Sequence, residues 1–396
     1  MTYKISGITN DSAAVYVIDE ATNILEMTTN ITTGNYEISP LSSGTKTVIA
    51  RSADGNTLSF GAIPVVSGTP GIGIKNIYSG IISLFGEYNS STPIIGPTTS
   101  KYAIFHTGDV SIGGNLDSAG VALTISGTED HLTLNAYANV LNATSPVLAT
   151  YSLVEFMSGV IRYQTGAVDM RSLASTNVSI IPVNSNNTIA YLPGMAYNGT
   201  RLCMITGLTD NTLTITRAGT NGSLPVWCTW SLIEFENGII ESKQDGTLTM
   251  SNLTSTASIS AVDTNRSVVF YKGRTRGSGS LDNYHAAAIE LQNSTTIKGT
   301  RIATYSNDTI YFTVVQFATG ILKSIQRGYT ESSTTQNITI NEVNPAKTVI
   351  ITGGYTVADN GGQYLKIVRL KDSTTLEVTG FSGYNGGVSW QIVEFN

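Results

Sequence analysis

Charge is scarce in this chain. Lys, Arg, Asp and Glu together make up 13% of the 396 residues, and their balance is a formal −6 with a pI near 5.1. No cluster of Lys and Arg supplies the electrostatic footprint that a phosphate backbone requires, so nucleic acid is not an expected partner. Long apolar runs are missing too: nothing approaches the roughly 18 residues of a spanning helix, so no membrane partner is expected. The opening MTYKISGITNDSAAVYVIDE lacks a charged segment followed by an apolar one. The expectation is a protein used without the general secretory route, or one whose signal was removed before this numbering begins.

Cysteine occurs twice, Cys203 and Cys228, 25 residues apart. One pair does not make a disulfide scaffold, and buried free thiols are favoured over a bond. Three histidines, His106, His131 and His285, are scattered without a partner at metal-ligand or triad spacing, and are expected at the surface or in turns. There is no Walker loop, no nucleophile elbow with an ordered His and no dinucleotide fingerprint. Long runs with a 3.6-residue apolar period are absent as well, which leaves strands.

What is present is a phrase repeated four times: YSLVEF (Tyr151 to Phe156), WSLIEF (Trp230 to Phe235), FTVVQF (Phe312 to Phe317) and WQIVEF (Trp390 to Phe395). Its closing phenylalanines are separated by 79, 82 and 78 residues, an internal repeat. With a period of two, Trp390, Ile392 and Glu394 share one face and Gln391, Val393 and Phe395 the other. Both faces are apolar in the middle, which predicts a central strand covered on both sides. The penultimate position is Glu155, Glu234, Gln316 or Glu394. Because Gln is no base, the shared property there is hydrogen bonding, and acid or base chemistry is the weaker reading.

Each copy opens at a glycine (Gly159, Gly238, Gly320) three residues after the phrase, and has a second at Gly166, Gly246 or Gly328. Then come two strands around Asn184, Asp263 or Asn344, read as a hairpin, and two more around Asp210, Asn293 or Asp372. Calcium ligation by Asp210, Asp263 or Asp372 is weaker than their reading as Asx turns. Tyr197, Tyr284, Tyr355 and Tyr384 fall in loops that vary between copies. They suit contact with carbohydrate or protein, although covering the sandwich ends is the favoured role.

The fold class expected is all-β: tandem small β-sandwich domains, one N-terminal domain plus four repeats of about 80 residues. The boundaries are 1–67, 72–157, 158–236, 237–318 and 319–396. Two or three residues between copies are too few for a flexible tether, so five modules in line would project over roughly 130 Å.

Two resemblances refine this. Gly34-Asn35-Tyr36-Glu37-Ile38, Leu41, Gly44, Lys46 to Ala50 and Asp54-Gly55 resemble a transthyretin-like or carboxypeptidase-regulatory-like domain, which implies a fold and not an activity. GILKSIQRG (Gly320 to Gly328), LKDSTTL (Leu370 to Leu376) and QIVEF (Gln391 to Phe395) resemble the repeated modules of tailed-bacteriophage virion proteins. That likeness implies a non-enzymatic structural protein on the particle: a capsid decoration, head-fibre or tail-associated protein. Its implied partners are a major capsid or tail protein, host surface carbohydrate and further copies of itself, with no cofactor; residues 1–67, which alone break the repeat, are the expected docking end. The rival is a bacterial surface adhesin whose signal was cleaved. An enzyme acting on polysaccharide would need paired carboxylates, and no repeat offers a distinctive pair.

Overall fold

A computed structural model places the strands along the whole chain. It describes side chains for residues 72–79, 101–107, 123–125, 134–135, 149–193, 203–218, 227–275, 287–302, 307–356, 366–379 and 386–396. Residues 1–69 and 70–396 form two units. In the first, the strands are β1 (Tyr3–Thr9), β2 (Ala13–Asp19), β3 (Ile24–Ile31), β4 (Gly34–Leu41), β5 (Gly44–Ser52) and β6 (Thr57–Val65). They form an antiparallel β1-β4 pair and an antiparallel sheet of order β3-β2-β5-β6.

The second unit holds the four repeats, six strands in each. Repeat 1 has β7 (Gly73–Leu84), β8 (Asn89–Ile94), β9 (Tyr102–Ser111), β10 (Val121–Thr128), β11 (His131–Ala138) and β12 (Val147–Ser158). Repeat 2 has β13 (Val160–Asp169), β14 (Ser175–Ser179), β15 (Thr188–Tyr191), β16 (Cys203–Leu208), β17 (Thr212–Arg217) and β18 (Trp227–Phe235). Repeat 3 has β19 (Ile240–Met250), β20 (Thr254–Ser258), β21 (Ser267–Arg274), β22 (Ala288–Asn293), β23 (Thr296–Thr300) and β24 (Asp308–Phe317). Repeat 4 has β25 (Leu322–Ser332), β26 (Gln336–Thr339), β27 (Thr348–Val357), β28 (Ile367–Asp372), β29 (Thr375–Thr379) and β30 (Gly386–Phe395). No α-helix occurs among the described residues.

In every repeat the phrase strand pairs with two neighbours, β7-β12-β9, β13-β18-β15, β19-β24-β21 and β25-β30-β27, and the third of these inner sheets continues through β16 into the outer strands of repeat 2 as one six-stranded sheet. The other three strands make an outer sheet, as in β20-β23-β22 and β26-β29-β28. Both faces of the phrase strand are covered, as its pattern predicts. Trp230 and Leu232, Phe312 and Val314, and Trp390 and Ile392 pack inside their own repeat, between its two sheets. In repeats 2 to 4 the second glycine makes room for that aromatic: a Cβ on Gly328 would lie 2.4 Å from the Trp390 ring, one on Gly246 2.5 Å from Phe312 and one on Gly166 2.7 Å from Trp230.

The opposite faces do not end in solvent. Phe156, Phe235, Phe317 and Phe395, with Val154, Ile233, Val315 and Val393 beneath them, join one core drawn from all four repeats. Phe235 and Phe317 meet edge to face at 5.8 Å, and Phe317 and Phe395 at 6.4 Å. Phe105, Tyr191 and Phe270, one from each of the first three repeats, follow one another at 5.5 and 6.0 Å. Adjacent repeats also meet where an outer sheet reaches the next inner sheet, β16 on β21, β22 on β27 and β28 on β9. The last contact runs from repeat 4 back to repeat 1, so the repeats close into a ring around a shared axis. At two of these crossings the chains come too close for a side chain. Gly273 (φ +108°) and Gly354 (φ +95°) would place a Cβ 2.2 Å from the Cys203 carbonyl and 2.8 Å from that of Ala287.

Two expectations are corrected. The repeats are not independent modules in a line: a copy of about eighty residues can cover one face of its inner sheet, and the second apolar face is covered only by the other copies. A projection of some 130 Å from five modules in line therefore falls away. The strand pair around Asn184, Asp263 or Asn344 is not a hairpin. β14 pairs with β17 in the outer sheet while β15 pairs with β18 in the inner one, and the other repeats do the same. A 3-10 turn, such as Ser185–Asn187, carries the chain across the sandwich. The second pair is the hairpin expected, β16 with β17 and its counterparts.

Candidate functional site: the axial polar layer

Along the shared axis the side chains change character. The closing phenylalanines and the layer beneath them enclose a void of about 20 Å³ walled by apolar residues of all four repeats. A water would fit by size but would find no polar partner there. Two residues earlier on each phrase strand the axial positions turn polar: Ser152, Ser231, Thr313 and Gln391, all buried. From the first strands come Tyr163, Lys243, Asp245 and Arg327.

These groups reach from one repeat to the next. Lys243 donates to the carbonyls of Ser185 and, at 2.9 Å, Thr188 in repeat 2. Arg327 donates to the carbonyls of Ser267 and, at 2.7 Å, Thr264 in repeat 3. Gln391 binds both backbone groups of Val269, at 2.9 and 2.7 Å, and Ser389 donates to the carbonyl of Ile289 at 2.7 Å. Tyr191 donates to the Ile104 carbonyl at 2.6 Å. Burial lowers the Arg327 guanidinium to about 10 and also lowers the Lys243 ammonium, which Asp245 partly offsets. Asp245, half exposed and 2.8 Å from the Lys272 ammonium, loses some solvent, which would raise it, but Lys272, Thr313 and Lys243 outweigh that and hold its carboxyl low. Burial raises Tyr163 to about 12. Such a layer fixes the register of the repeats, because each donor meets a backbone oxygen at one position only.

The penultimate residue of the phrase has the hydrogen-bonding role its Glu-or-Gln alternation predicts. Glu234, Gln316 and Glu394 each accept from the backbone N–H of the turn residue Asn184, Asp263 or Asn344, at 2.8, 2.7 and 2.9 Å. The bulged residue of the first strand meets the carboxylate in two copies, Lys323 at 2.8 Å from Glu394 and Lys75 at 3.2 Å from Glu155; Glu234 instead meets Arg162 at 2.7 Å, and the bulged Glu241 accepts from the neutral Gln316 at 2.7 Å. Desolvation would raise Glu394, yet Lys323, the Asn344 N–H and Ser324 overcome it and hold the carboxyl low.

Asn184, Asp263 and Asn344 close Asx turns onto the N–H two residues on, at 3.1, 2.9 and 3.0 Å. Asp372 does so as well at 2.9 Å, whereas Asp210 reaches across to the Ser185 N–H at 3.1 Å. Cys203 and Cys228 are both buried thiols in the repeat 2 core. His106 is not at the surface: it is 8% exposed in β9, and burial pushes it down to about 4. The side chains of His131 and His285 lie outside the described residues, as do those of Tyr197, Tyr284 and Tyr384. Tyr355 is no loop-tip ring: it is 5% exposed, inside the repeat 4 core.

A clasp went unread in the sequence. Gln164, Gln244 and Gln326 each bind both backbone groups of one residue across the sandwich, Ile181, Ser260 or Asn341, at 2.7 to 2.9 Å. The signal available was Gln two residues before the second glycine in three copies. A further buried group, Asp308 between Arg274 and Arg301 at 3.8 Å each, lies inside repeat 3.

Among the described residues no group of three His, Cys, Asp or Glu is placed to hold a metal ion, and no helix is long and apolar enough to cross a membrane. No family model matches this chain, and no curated protein matches it. Solved structures with some likeness include two of the P pilus usher (PapC) translocation pore, each with a TM-score of 0.16. They are 10% and 11% identical, covering 100% and 81% of this chain and 76% of that chain in each case. Likeness at that level carries no argument.

Proposed function

We propose that this chain is a non-enzymatic structural protein on the outside of a tailed-bacteriophage particle, as a capsid decoration, head fibre or tail-associated protein. The observation that carries the structural reading is the fate of the polar residues that recur between repeats. The clasping glutamines, the penultimate Glu or Gln and the Asx residues all bind fixed backbone groups of their own repeat. What the copies keep in common is mechanical. The virion setting rests on the phrases GILKSIQRG, LKDSTTL and QIVEF.

In this reading the unit of residues 70–396 is a rigid platform and residues 1–67 dock it on the capsid or tail protein. The candidates for contact with host surface carbohydrate are Tyr197, Tyr284 and Tyr384, which fall where the copies differ in sequence. The test is mass spectrometry of density-purified particles from the genome that encodes the chain, beside particles carrying a deletion of residues 1–67. Co-purification of the full chain and loss of the truncated one are expected. Absence of the full chain from particles overturns the reading, and incorporation of the truncated chain overturns the docking role.

A further inference from the structure

Both cysteines of the chain fall in repeat 2, and they sit in its two different sheets. Cys203 opens β16 in the outer sheet, and Cys228 is the second residue of β18, the phrase strand of the inner one. They belong to the same core between those sheets, at 8% and 3% exposure. The thiols are hydrogen-bonded to each other across the sandwich; that bond and then burial push the Cys228 thiol up, so Cys228 is the sulfur that keeps its proton. Arg217 pairs with Cys203 along the β16-β17 hairpin, and its guanidinium interacts electrostatically with that residue. A thiolate formed on Cys203 therefore meets a cation already held by the carbonyls of Met170 and Arg171.

Repeat 3 shows what packing alone asks for at these two places. The Cys203 carbonyl is the one that crowds Gly273 of the next repeat, and the carbonyl that crowds the equivalent Gly354 is that of Ala287. Cys228 stands two residues before Trp230, as Ile310 stands two before Phe312. Ala287 and Ile310 both lie in the repeat 3 core. An apolar pair thus fills the space, and the architecture needs sulfur at neither place. What the paired thiols add is chemistry.

We propose that Cys203 and Cys228 form a reversible disulfide that staples the two sheets of repeat 2 when the protein meets a small-molecule disulfide such as oxidised glutathione. The Cys203 thiolate attacks one sulfur of that molecule, forming a mixed disulfide and releasing one small thiolate. Cys228 then attacks the Cys203 sulfur and displaces the second small thiolate, and the protons of the two cysteines end on the two released thiols. Two protein thiols are oxidised and one small disulfide is reduced. The bond ties the phrase strand of repeat 2 to β16, the strand that runs on into the repeat 3 sheet through the pairing of Met204 with Gly273. A chain in a reducing interior holds the thiols, and one in an oxidising medium holds the bond. None of this depends on the virion reading.

Intact-mass spectrometry and thermal unfolding of the full chain test it. Reduced protein incubated under native conditions with oxidised glutathione should lose the mass of two hydrogens, yield a peptide pair joining Cys203 to Cys228 and leave no thiol to alkylate after denaturation. Its Tm should rise by about 5 °C and fall back on reduction with dithiothreitol. Cys203→Ala, which installs the residue that repeat 3 carries there, should abolish both the mass loss and the Tm shift. Two alkylatable thiols after the incubation, a glutathione adduct that persists on either cysteine, or a bond between two chains overturns the proposal. A Tm that the bond leaves unchanged overturns the staple, and that comparison needs no variant to fold.

Discussion

At the residue scale the tightest constraints are steric and ionic. Gly328 exists because the Trp390 ring occupies the place of its Cβ. Gly328→Ala forces that ring to move in a packed core, and a loss of about 1–3 kcal/mol is expected in chemical denaturation. His106 gives a pH signature. Its folded value of about 4 lies below the ordinary 6.5, so the unfolded chain takes up a proton more readily. Its contribution is fully present above pH 6.5 and is lost as the pH falls from there toward 4, by on the order of 3 kcal/mol. Unfolding free energies at pH 7 and pH 4.5 should differ less in His106→Leu than in the unsubstituted protein; an equal difference removes His106 as the cause. The bland surface role expected for histidines failed here because a single His carries no mark of burial in a sequence without a partner nearby.

At the element scale the informative unit is the clasp between sheets. Gln326 accepts from the Asn341 N–H and donates to its carbonyl, as a neighbouring strand would. Gln326→Ala should cost about 1–2 kcal/mol. Gln326→Glu keeps the acceptor and loses the donor, and should fall between the two on the same denaturation curves. The 3-10 turn is the other decisive element, and Asn344→Ala should cost about 1 kcal/mol through loss of its cap. Turn chemistry was legible: Asn, Asp and Asn-Pro marked where the chain changes direction. Whether it folded back beside itself or crossed to the other sheet was not, because an Asx residue closes either path. The choice follows from the Glu or Gln of the phrase, which holds the turn from the inner sheet.

For the whole molecule, the shared core predicts cooperativity. Phe317 meets both Phe235 and Phe395, and Phe317→Ala should cost about 3–5 kcal/mol. The loss should be felt by every repeat, so calorimetry of residues 70–396 should show one main transition. Four separable transitions would mean that the repeats stand alone. Deleting repeat 4 strips the axis of Val349, Ile351, Val393 and Phe395, and the remaining repeats should bind a hydrophobic dye in proportion to the exposed face.

What the amino-acid sequence determined by itself was local and periodic. Four copies, a central strand in each, two apolar faces on that strand, a hydrogen-bonding residue before each closing phenylalanine and Asx turns can all be read from alternation and spacing, because those properties depend on residues a few positions apart. Tertiary structure decided which neighbour covers the second face. An apolar face states that it must be buried and not by what; a line of modules and a closed ring satisfy it equally on paper, and the contact of β28 with β9 across some 260 residues selects the ring.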